Sequence, residues 1–268
     1  MVVDNVFLNL SGNDTVAAGL IFGGIHARKY GYARVKKVNI TVDGGTYGRI
    51  HGGGWAEKGA YSVVNHASIT VNSGTIEYVY AGGCNATSET GYEKINGSYV
   101  GSADITIDSA AQVKYVYLGA RYAAGKIGGD VTLTITGAKD SVASFTRITG
   151  WGSTGMDSSE NGSSIVELET SVKTDYFDFV DKLIVHEYGT LNTASADFGT
   201  DQKIVLDLVT DGLDKDWTVI SGEGLDEIMA AIGGYALNGV VTELTDGQLG
   251  DYTLNYDEDE KKLTLGLA

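Results

Sequence analysis

Asp43, Asn72 and Asp108 are the first residues whose types and spacing suit chemistry, because they close the matching segments "ITVDGG", "ITVNSG" and "ITIDSA". If these segments stack as neighbouring rungs, the carboxylates of Asp43 and Asp108 stand two rungs, or about 9 to 10 Å, apart. That touches the upper range for a pair of carboxylates that hydrolyses a glycosidic bond with inversion. The competing reading is a turn, where Asp and Asn side chains accept hydrogen bonds from nearby backbone N–H groups. Nothing in the sequence marks out an acid of raised pKa with a base beside it. His66 and His186 are far apart in the chain and no serine sits in a nucleophile-elbow context, so an acyl-transfer triad is unsupported. The stretch "DSSENGSS" from Asp157 opens like a calcium loop, but Leu168 stands where the twelfth-position bidentate Glu is required. Cys84 is the single cysteine, and no Cys/His cluster has zinc spacing, so neither a disulfide, a metal nor a cofactor is expected.

A second set of residues suits binding. The stretches "TYGRIHGGG", "TIEYVYAGG" and "QVKYVYLGA" align on Ile50, Val79 and Val116, with Ile21 and Ile148 at the equivalent positions on either side. Alternate residues of a strand share a face. The opposite face then carries two columns, Leu20, Arg49, Tyr78, Tyr115, Arg147 and Phe22, His51, Tyr80, Tyr117, Thr149. Unpaired buried charge is expensive, so Arg49, His51 and Arg147 argue that this face is not core. The candidate ligand-binding residues are therefore Arg49, His51, Tyr78, Tyr80, Tyr115, Tyr117 and Arg147, flanked by Trp55 and Trp151. Aromatic rings with hydroxyl rims beside guanidinium groups suit sugars, which offer apolar faces and hydroxyls. The alternative is that the long loops cover the strip with their own tyrosines, Tyr30, Tyr32, Tyr61, Tyr92, Tyr99 and Tyr122.

The elements that must position these residues are repeated. First-strand segments begin at Val6, Val38, Ala67, Ala103 and Val131, with a weaker sixth copy at Ser164. Their alternate apolar residues form the expected rows Val6, Val38, Ala67, Ala103, Val131 and Leu8, Ile40, Ile69, Ile105, Leu133, beside Leu10, Val42, Val71, Ile107, Ile135. Each middle copy continues through a turn into a second strand, a Gly-Gly or its relative, and a long loop. Two strands per repeat in constant order predict an all-β chain folded as a right-handed parallel β-helix, a solenoid. A β-sandwich is the alternative, with antiparallel neighbours and no stacked rows. The absence of proline, where average usage gives roughly 13 in such a length, suits continuous ladders.

Composition changes along the chain. Residues 1–150 carry 13 Lys and Arg against 11 Asp and Glu, whereas 151–268 carry 6 against 24. The acidic half excludes a phosphate backbone as its partner, and the basic stretch His26–Lys37 is expected to be a solvated loop. The expected organisation is a repeat region at 1–162, degenerate final coils at 163–200, and an acidic β-rich capping segment at 201–268. In that segment "LDEIMAAIGG" predicts a short helix stopped by Gly233 and Gly234, followed by strands in "DYTLNYD" and "KKLTLGLA". No apolar run approaches membrane-spanning length, and only Thr132 and Thr134 supply the Thr-x-Thr of an ice-binding array.

The repeat "ITVDGGTYGRIHGGG", with the terminal "DWTVISGEGLDEI" and "LGDYTLNYDEDEKKLTLGLA", resembles the passenger regions of bacterial autotransporter-like and adhesin-like surface proteins. The resemblance implies a secreted β-helix displayed on a cell surface, extracellular, with a glycan or host-surface partner and no catalytic residue set. It also implies a longer parent chain, whose signal sequence and membrane barrel lie outside these residues. The expected function is a non-enzymatic module that binds glycan or acts as a stalk. The alternative is a polysaccharide-degrading β-helix, lyase or glycosidase, or a phage tailspike-like protein.

Overall fold

The computed structural model describes residues 1–12, 17–57, 59–85, 97–121, 125–152 and 162–268. These residues are all-β, with one short helix at Leu225–Ala231. Alternating apolar residues dictate the arrangement, because each strand must bury one face and the neighbouring copies offer matching rows.

Two ladders run through the chain. In the first, Val2–Leu10 pairs with the early part of Tyr32–His51, which pairs in turn with the early part of Tyr61–Tyr80, Gly97–Asp108, Val131–Thr136 and Ser164–Leu168, every neighbour parallel. The expected rows are in register: Leu8 opposes Ile40, then Ile69, Ile105, Leu133 and Val166. From Val38 onward these row residues are buried in one cluster. Burying a full aliphatic side chain contributes about 1.5 to 3 kcal/mol, so the rows dominate the stability of the ladder.

The second ladder joins Ala17–Phe22, the later parts of the two 20-residue strands, Gln112–Tyr117, Val142–Thr149, Ser171–Asp178 and Leu191–Asp197, again in parallel. Between Gly48 and Arg49, both half-exposed, the strict in–out alternation breaks, and the same happens between Glu77 and Tyr78. The chain turns a corner there, so residues before and after it face different sides.

Parallel pairing continues beyond residue 200, through Lys182–His186 and Ile204–Val209 to Ile232–Leu237. The chain then changes to antiparallel pairing, with Lys262–Leu267 lying between Trp217–Ser221 and Tyr252–Asp257. The helix ends at Ala231, with Ile232 as its C-cap, and Gly233 and Gly234 lie in the next strand instead of stopping it. Gly233 sits where a Cβ would meet the Lys203 side chain, so close approach explains that glycine. The basic stretch is a loop only at residues 28–31, between the short strand His26–Ala27 and the long strand from Tyr32, in which Ala33 and Val35 are buried and Arg34 and Lys36 exposed.

The glycines after the second strands, paired in the first three copies and single at Gly119 and Gly150, hold neighbouring turns at backbone contact. A Cβ on Gly53 would fall on the backbone of Gly83, and one on Gly119 on that of Gly152. The hydrogen-bond ladder continues through them, Gly52 N–H to the Tyr80 carbonyl at 3.0 Å and Gly53 N–H to that of Gly82 at 3.3 Å.

Candidate functional site

The two predicted columns are in the predicted register: Leu20, Arg49, Tyr78, Tyr115 and Arg147 oppose one another in sequence, as do Phe22, His51, Tyr80, Tyr117 and Thr149. Their exposure differs. His51 (0%), Tyr80 (2%) and Tyr117 (8%) are buried, whereas Arg49, Tyr78, Tyr115 and Arg147 are half-exposed.

Parallel rungs in register bring like rings face to face. Phe22 stacks on His51 at 4.6 Å between centroids, His51 on Tyr80 at 4.6 Å, and Tyr80 on Tyr117 at 4.9 Å. Tyr78 stacks on Tyr115 at 4.8 Å, and the Arg49 guanidinium lies 5.2 Å from the Tyr78 ring centre. The ring faces are thus turned along the stack, toward one another, and only edges and hydroxyls of the outer column meet solvent. Trp55 tilts against Phe22 and His26, while Trp151 stacks on Phe179 at 3.6 Å. Of the tyrosines expected in loops, Tyr30 lies in a turn but Tyr32, Tyr61 and Tyr99 lie in strands, all four exposed, while Tyr92 and Tyr122 lie outside the described residues, as does most of the stretch from Asp157.

Burial sets the electrostatics of the inner column. Removal from water, then the charges of Arg121 and Arg49, push the His51 imidazole from 6.5 down to about 3, against a smaller opposing pull from the Gly82 backbone. Neither of its nitrogens has a well-aligned hydrogen-bond partner. At the far end of the strip, Arg147 Nε lies 2.8 Å from the Asp178 carboxylate, which is almost wholly buried. Burial raises the Asp178 pKa and Arg147 partly offsets this. Sequence reasoning did not find this raised acid, whose signal was its register opposite Thr149 at the end of the column. It is sealed from solvent and is positioned to anchor Arg147.

The row weighed for catalysis is engaged in two ways, across the rungs at Asp43 and Asn72 and in capping a turn at Asp108. Asn72 Nδ2 donates to Asp43 Oδ1 at 2.7 Å, and Asp108 Oδ1 accepts the Ala110 N–H at 2.8 Å. His66 Nδ1 is 2.9 Å from Ser102 Oγ, and His186 Nε2 is 2.8 Å from Glu167 Oε1, each within its own rung neighbourhood.

On the other side of the corner lies a groove of about 810 Å³ that crosses five neighbouring second strands. Gly19 lines it on the first strand and Gly48 beside Thr46 on the second, and exposed Thr75, Glu77, Gln112, Lys114 and Ser144 line the rest. Its floor includes Tyr47, Ile76, Val113 and Phe145, all nearly buried. Sequence reasoning missed it because its depth comes from side chains that glycine lacks. Among the described residues, Glu77 is the one carboxylate in its lining. Comparison with known proteins adds no relative: no family model, no curated protein and no solved structure matches the chain.

Proposed function

We propose that the chain is a non-enzymatic binding module of a secreted or cell-surface protein, built as a right-handed parallel β-helix, whose groove holds an extended neutral glycan. The parallel ladders support the architecture, since a crossover between parallel strands of one sheet is right-handed in nearly all proteins. The acidic antiparallel segment acts as the cap that an open core requires. The adhesin-like and autotransporter-like repeat accords with display outside the cell.

The observation that carries the binding function is the groove itself. Crossing five rungs makes it about 19 Å long at 4.7 to 4.9 Å per step, enough for several units of a polymer. Thr75, Gln112 and Ser144 repeat neutral donors and acceptors along it. A repeating, hydroxyl-rich polymer matches a repeating polar surface. Glu77 and Lys114 cancel in charge, which favours a neutral chain over an anionic one. Across the corner, the Tyr78 phenol is pushed upward by desolvation and by the charge of and hydrogen bond to Glu77. Cleavage is disfavoured because the described lining holds a single carboxylate, Glu77, while Asp43 is bonded to Asn72 across the rungs and Asp108 caps its own turn.

Titration with neutral oligosaccharides of increasing length tests this. Affinity is expected to rise with length and level off once the groove is filled. A stalk without ligand, the reading favoured by rings that stack only on one another, gives no binding at any length.

A further inference from the structure

Glu167, Glu169 and His186 each present a ligand atom within 4.8 Å of the other two. They come from two rungs whose strands, Ser164–Leu168 and Lys182–His186, pair in parallel with Leu168 opposite Val185. Glu167 and His186 stand on these strands and Glu169 directly follows the first, its N–H donating to the Ile135 carbonyl at 3.0 Å, while Thr134 Oγ1 donates to Glu167 Oε2 at 3.3 Å, orienting that carboxylate from a third rung.

The charge balance is incomplete. His186 can neutralise one carboxylate, and its Nε2 already lies 2.8 Å from Glu167. Glu169 has no cationic partner among the described residues, so the cluster retains at least one unmatched negative charge. We propose that these three residues form a binding site for a divalent transition-metal ion of the zinc class. Imidazole selects such ions over calcium and magnesium, while carboxylates complete the set. Zinc holds nitrogen and oxygen ligands at about 2.0 to 2.2 Å, so donors around one ion stand roughly 3 to 4 Å apart, a small adjustment of this cluster. Glu167 and His186 are half-buried and Glu169 is exposed, which leaves a path for the ion and open coordination positions for water.

The test is calorimetric titration of the EDTA-stripped chain with Zn²⁺, with Ca²⁺ and Mg²⁺ as comparisons. The wild type, Glu169→Gln, His186→Gln and His66→Gln are compared, with circular dichroism confirming that each variant is folded. One Zn²⁺ per chain is expected. Affinity should be at least about tenfold weaker in Glu169→Gln and His186→Gln and unchanged in His66→Gln, and Ca²⁺ should not compete at equal concentration. Saturating Zn²⁺ should raise Tm in the wild type only to the extent that the same variants lose. The absence of saturable one-to-one binding, or equal affinity in wild type and both ligand variants, overturns the site and leaves a His186–Glu167 ion pair. Neither result depends on what occupies the groove.

Discussion

The imidazole of His51 lies flat against the ring of Tyr80, with centroids 4.6 Å apart and planes 3° from parallel. A histidine at the centre of an aromatic stack, without a well-aligned hydrogen-bond partner, must stay neutral for the fold to hold. Its pKa is about 3 in the folded chain against 6.5 in the unfolded one, so between those values the unfolded state binds the extra proton. Stability from this group is therefore complete above 6.5 and is lost as pH falls toward 3.

His51→Phe keeps the stack and removes two buried nitrogens that lack a well-aligned partner, and a buried polar group left unsatisfied costs about 1 to 3 kcal/mol. The variant is expected to match or exceed the wild-type Tm at neutral pH and to lose less stability on acidification through that window. Melting curves across pH check this, and parallel pH profiles for the two proteins would contradict it.

Inner and outer columns should respond differently to truncation. Tyr80→Ala removes a ring that is 2% exposed and stacked on both sides, and is expected to cost about 3 to 5 kcal/mol. Tyr115→Ala acts at a half-exposed position and should cost less. Urea unfolding of both variants measures the difference.

Gly83 permits the turns to pack at backbone distance: an added Cβ would overlap Ser98 Oγ and the Gly54 carbonyl, and Ser98 Oγ is already bonded to that carbonyl at 3.0 Å. Gly83→Ala is expected to destabilise the chain by about 1 to 3 kcal/mol or more. Gly19→Ala, whose Cβ would meet nothing within 4 Å, should be close to neutral by the same unfolding measurement.

The rows from Val6 to Ile135 were legible because alternation fixes which face is buried, and equal spacing from strand to turn fixes the register. After Ser164 the same ladders persist, but Val166 opposes Leu183, only 17 residues on, because this turn lacks the long loop of earlier copies. Loss of the loop changes the period and hides a continuing structure. The tyrosine columns were found as columns, yet the direction of their ring faces follows from a further step: aromatic residues in register at one-rung spacing have each other as nearest neighbours. The groove depends on Gly19, Gly48 and the corner beside Arg49, none of which stands out as a motif. The Glu167, Glu169 and His186 cluster required the register of the short turn.

The most direct test of the binding account is to fill the groove and titrate again. Gln112→Trp places a large side chain at an exposed position in the middle of the lining, away from the buried rows. The account predicts that wild type binds long neutral oligosaccharides without producing new reducing ends, and that Gln112→Trp loses this binding while its Tm is unchanged. Failure of every neutral oligosaccharide to bind, undiminished binding by Gln112→Trp, or the appearance of cleaved product would contradict it.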